Sequence, residues 1–97
     1  MPLPITITTV NPATGTPIAT YTGWDRDQVL SVLAAATAAQ PAWAAAPIGE
    51  RVTTIRAVGA QLRKQSDRLA GLITAEMGKP IGEARAEVDK SATACDY

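Results

Sequence analysis

From residue 25 onward, apolar side chains return every three or four positions. This periodicity is the strongest constraint on the fold, because it draws an apolar stripe down an α-helix and does not fit the alternation of a strand. Val29, Leu33 and Ala36 open the series. Ile48, Val52, Ile55, Gly59 and Leu62 resume it, Leu69, Leu72, Ile73 and Met77 follow, and Ile81, Ala84, Val88, Ala92 and Cys95 close it. The interruptions set the boundaries. Asp25 with Gln28 three positions on is a capping-box start. Pro41 lacks an N–H and crowds the preceding turn, so the first helix is expected to end near residue 40, with Trp43 just beyond as a packing anchor. Pro47 suits a first helical turn, Ser66 reads as an N-cap or local break, and Gly78 with Pro80 stands where a left-handed cap and a stop belong. Helices are expected over about 25–40, 47–64, 66–77 and 81–97. Residues 47–77 could form one bent helix or two joined near 66, and two is the preferred reading. The last stripe is still in phase at Tyr97 without a C-cap, which reads as a helix cut short.

Ahead of the helices, Ile5 to Val10 is β-branched throughout, a strand signature. "NPATG" follows: Asn11 can close an Asx-turn, Pro12 presets φ, and Gly15 tolerates positive φ. "PIATYT" then resumes the β pattern. The segment 5–22 is therefore expected to be a hairpin, which alone is marginal in water. The fold class expected is α+β: an N-terminal β-hairpin followed by three to four amphipathic helices, in one domain at most.

How these stripes are covered is the next question. Nineteen residues are alanine and none is phenylalanine. Each methylene buried is worth only about 0.8 kcal/mol, so alanine-lined stripes make a thin core. The faces read as made to pack against something else. Basic and acidic residues balance at nine each, without the basic patch a nucleic-acid partner needs. "MPLPITITTV" has no basic region and is broken by prolines, so it is a poor secretory signal. No run approaches a membrane span. One cysteine and no histidine argue for a reducing, cytoplasmic setting and against a zinc site.

Candidate chemistry is sparse. Gly78-Lys79 lacks the upstream glycine of a phosphate loop and is followed by proline, so it reads as a helix end. Glu83 and Glu87 share a helix face, and Glu76 lies on the preceding helix. With Arg85 and Lys90 nearby, and Glu87–Lys90 an ordinary i,i+3 pair, they read as a solvated face with one or two inter-helix ion pairs rather than acid–base or metal groups. Cys95 has no histidine to activate it and sits on an apolar stripe as a small hydrophobe. Trp24 and Trp43 could stack on a ring but read as packing anchors. The serines and threonines lack a base. No catalytic, cofactor-binding or metal-ligating residue is assigned.

Four fragments in order resemble the aldehyde dehydrogenase family: "VNPATGTPIATY", "AAQPAWAA", the long run "PIGERVTTIRAVGAQLRKQSDRLAGLITAEMGKPIGEARAEV", and "ACDY" at the end. Together they cover residues 9 to 97. One departure is glutamine where the family has an aromatic residue before its tryptophan. "EMGKP" and "CDY" resemble the succinate-semialdehyde dehydrogenase branch. The resemblance implies the N-terminal piece of a several-fold longer α/β enzyme that uses NAD or NADP and forms homo-oligomers. In that family a cysteine thiolate attacks the aldehyde, hydride passes to NAD(P)+, and water hydrolyses the thioester. Those groups lie downstream in the family. Neither Cys95 nor Lys79 aligns with them, so this chain alone is expected to bind no cofactor and to be inactive. Its implied partner is the remainder of the fold, with no nucleic acid or membrane. The alternative is a stand-alone helical module that binds a protein partner through its uncovered stripes.

Overall fold

The computed structural model describes residues 5–97; the "MPLP" that opens the chain lies outside the described residues. Strands β1 (Thr6–Val10) and β2 (Pro17–Thr22) form an antiparallel hairpin pairing Ile7 with Tyr21 and Thr9 with Ala19, with a register shift at Thr9/Val10. Its turn follows from local chemistry. Asn11 Oδ1 accepts from the Ala13 N–H at 2.9 Å, the Gly15 N–H donates to the Asn11 carbonyl at 2.7 Å, and Gly15 takes φ +72°.

Four helices follow: α1 (Arg26–Ala45), α2 (Ile48–Lys64), α3 (Ser66–Met77) and α4 (Ile81–Asp96). The hairpin-plus-helices architecture is thus the one anticipated. Asp25 caps α1 reciprocally with Gln28: each side chain accepts from the other's backbone N–H, at 2.8 and 2.9 Å. Gly78 ends α3 in the left-handed conformation, φ +72°, and its N–H reaches the Thr74 carbonyl at 2.9 Å.

Two sequence expectations need correction. Pro41 does not stop α1, which continues through it to Ala45. A proline removes one ladder bond and crowds one carbonyl, but Ala42, Ala44 and Ala45 beyond it have the highest helix propensity and re-enter the helix at once. The chain turns only at Ala46–Pro47, where the axes of α1 and α2 differ by 119°. Ser66 is also not the cap of α3. It is the first helical residue, and the joint is Gln65 at φ −103°, ψ 14°. The Gln65 amide oxygen accepts from Arg68 Nε at 3.1 Å, and its carbonyl accepts the Leu69 N–H, so the break costs little hydrogen bonding.

Packing is concentrated on α4, which lies against both α2 and α3. Among the described residues, Ala70, Ala84 and Ala92 are fully buried, Val88 is 5% exposed, and Gly59 is buried where α2 meets α4. Leu62, Leu69 and Ile73 pack partly on this nucleus. The hairpin touches α3 at its turn end, where Thr9 and Ala19 share a half-buried face. Helix α1 buries none of its residues.

The molecule is consequently flat, 48 × 43 × 14 Å, with a radius of gyration of 17.7 Å. A compact chain of this length would have about 12–13 Å. Its accessible surface is 7490 Å², against about 5300 Å² for a compact monomer of 10.1 kDa. The secondary structure is complete, but the apolar faces are mostly uncovered.

Candidate functional site

The Gly78-Lys79 pair closes a helix end. A side chain at Gly78 would come within 3.0 Å of Pro12 Cγ, because the hairpin turn is tucked over this joint. Glycine is therefore required here for its positive φ and for the close approach. Lys79 reaches along α4 and places Nζ 2.5 Å from Glu87 Oε2. This corrects the expected Glu87–Lys90 pair: the turn at Gly78–Pro80 delivers Lys79 over the second turn of α4, and Glu87 is committed there. The hydrogen bond and the charge of Glu87 raise the Lys79 pKa above its ordinary value. Arg85 pairs with Asp67 at 3.4 Å, joining α4 to α3. Among the described residues, no three His, Cys, Asp or Glu side chains converge as metal ligands.

Cys95 is half-buried against Gly59, so a β-carbon there would lie 2.8 Å from Cys95 Cβ. Helical Thr37, Thr53, Thr54 and Ser91 donate their hydroxyls to carbonyls four residues back, at 2.9–3.1 Å. None of these hydroxyls is paired with a base. Trp24 and Trp43, expected as anchors, are instead 61% and 46% exposed. Trp24 precedes α1 and Trp43 lies in its last turn, and no residue of this helix is buried.

The remaining features among the described residues are apolar grooves, two of which run along α4. The first runs between the start of α2 and the end of α4, lined by Trp43, Ile48, Val52, Ile55, Cys95 and Tyr97, with Arg51, Arg56 and Asp96 among its polar residues. The second lies along α3 and α4, lined by Leu62, Leu69, Leu72, Ile73, Met77 and Val88. Beyond them Val29, Leu30, Val32 and Leu33 of α1 are exposed, as are Ile5, Ile7 and Tyr21 of the hairpin. Contiguous exposed apolar surface of this kind marks docking faces. No helix among the described residues is long and apolar enough to cross a membrane alone.

Arg63 and Asp96 form an ion pair linking α2 to the end of α4. Hydrogen bonding to Arg63 holds the Asp96 carboxyl below its ordinary value. A depressed carboxyl stabilises the fold above its unfolded pKa and loses that contribution as pH falls through the folded one. Acidification below about pH 4 is therefore expected to loosen the end of α4, read as lower amide protection factors in residues 92–96. Asp96→Asn should remove that pH dependence.

Comparison with known proteins bears on what covers these faces. Residues 4–97 match the aldehyde dehydrogenase family. Over 88 residues the chain is 41% identical to the succinate semialdehyde dehydrogenase (NAD(P)+) Sad of Escherichia coli, a stretch that is 91% of this chain and 19% of that protein. It is 48% identical over 61 residues to an N-succinylglutamate 5-semialdehyde dehydrogenase of Novosphingobium aromaticivorans, covering 63% of this chain and 13% of the relative. A succinate-semialdehyde dehydrogenase (NADP(+)) of Deinococcus radiodurans is 34% identical over 89 residues, or 92% of this chain and 19% of its own length. The chain thus spans at most about a fifth of these curated relatives.

Proposed function

The chain belongs to the aldehyde dehydrogenase family, and from that premise we propose that it serves as the N-terminal scaffold of an enzyme oxidising an aldehyde of the succinate-semialdehyde type. One observation supports this reading above the others. The hairpin, α1 and the grooves along α2–α4 are fully formed as secondary structure yet uncovered, and the relatives contain several times more chain that could cover them. Its cofactor would be NAD or NADP, held elsewhere in the fold, and its setting cytoplasmic and homo-oligomeric.

The described residues do not fit a dinucleotide. Pyrophosphate binding needs free backbone N–H groups at a glycine-rich turn between a strand and a helix. Here the Gly15 N–H is taken by Asn11, the Gly78 N–H by Thr74, and Lys79 by Glu87. The Cys95 thiol has no base and faces Gly59 across a helix contact. This segment therefore contributes packing, while binding and chemistry belong to the remainder.

The purified chain is expected to show no heat of binding with NAD+ or NADP+ and no reduced cofactor with succinate semialdehyde. Turnover abolished by Cys95→Ser would overturn the proposal. A stand-alone interaction module would present the same faces, and stoichiometric capture of an unrelated protein by a compact, cooperatively folded chain would favour it.

A further inference from the structure

We propose that Arg51 is the polar anchor of the α2–α4 groove, receiving a carboxylate carried on an apolar segment of the part of the fold this chain does not contain. The proposal rests on the scaffold reading above. Arg51 differs from the other arginines of the packed helices: Arg56, also without an ion pair among the described residues, is exposed, whereas Arg51 is half-buried. Arg63 and Arg85 are paired with Asp96 and Asp67, and Arg68 with the Gln65 amide. Arg51 is half-buried, makes no ion pair among the described residues, and has an Nε shut off from solvent without an acceptor. The enclosed Nε fixes the guanidinium at the groove, and its terminal nitrogens, which no acceptor among the described residues holds, are the donors an incoming group can meet.

The groove around it specifies the rest. Trp43, Val52, Ile55 and Tyr97 offer hydrocarbon and aromatic surface. Its one side-chain carboxylate, Asp96, is already committed to Arg63, leaving Arg51 without a side-chain counter-charge in the groove. An incoming carboxylate meets a planar two-pronged donor, a geometry that a lysine ammonium does not reproduce. Charge and apolar lining together select an apolar segment bearing an acidic side chain over one that is purely apolar or basic.

A matched pair of probes tests this in the 97-residue chain: naphthylacetate and its neutral amide, titrated by ligand-observed NMR at low temperature. The acetate is expected to bind more tightly than the amide. Arg51→Met should raise the acetate dissociation constant about fivefold and leave the amide within about twofold. Arg51→Lys should recover only part of the loss, and Arg56→Met should change neither probe by more than about twofold. Circular dichroism of each variant verifies that its helices persist. Acetate affinity that is unchanged in Arg51→Met, or reduced equally by Arg56→Met, overturns the assignment to Arg51 while leaving the uncovered-face reading intact. Failure of both probes to bind contradicts the proposal, while the uncovered-face reading is tested separately by the calorimetry of the chain.

Discussion

Gly59→Leu is expected to drive α2 and α4 apart and to remove most of the residual cooperativity of the chain. Even a bare β-carbon at position 59 would stand 2.8 Å from Cys95 Cβ and 3.1 Å from the Ala92 carbonyl oxygen. The second obstacle is backbone in the middle of α4, so neither helix can yield by a rotamer change. Overpacking of this kind typically costs about 1–3 kcal/mol. A core built from Ala70, Ala84, Val88 and Ala92 has little reserve to absorb that loss. Gly71 and Gly82 provide internal controls, since a β-carbon at either would meet nothing within 4 Å. Alanine at those helical positions should gain about 0.5–1 kcal/mol, whereas Gly59→Ala should lose stability despite the same propensity gain. Thermal melts followed by far-ultraviolet circular dichroism distinguish the two cases. Equal stabilisation at all three glycines would show that the α2–α4 contact is looser than described.

Much of this architecture is written in short-range chemistry. Asp25 with Gln28, the Asn11–Gly15 turn, and Gly78 before Pro80 each satisfy specific backbone groups within a few residues, so local sequence suffices to locate them. Pro41 was less legible, because alanines downstream outweigh a single local defect. The α4 stripe named Ala84, Val88 and Ala92, which are buried, but the α3 stripe missed Ala70. The α3 stripe drew attention to Leu72 and Met77, yet these remain 41% and 76% exposed while Ala70 is fully buried. Where two helices approach most closely, the smallest residue occupies the contact, and periodicity alone cannot show where that approach falls. Gly59 illustrates the same limit: its place in the stripe was clear, but its contact with Cys95 depends on a helix more than thirty positions away.

The candidate site was hardest to read, because it consists of what is left uncovered. The exposure of Trp43 and the missing partner of Arg51 follow from tertiary arrangement and leave no local signature. For catalysis the sequence sets a bound of composition only, since a chain without histidine and with one cysteine has few ways to build a nucleophile–base pair.

The central claim is that the helices and hairpin present one side of a contact whose other side lies outside these 97 residues. Scanning calorimetry of the purified chain tests it most directly. A compact monomer of 97 residues would unfold in a sharp transition with an enthalpy of about 70 kcal/mol. The expected result is a broad, shallow transition with an enthalpy far below that value. A sharp two-state peak near it, from a chain confirmed as monomeric, would contradict the account.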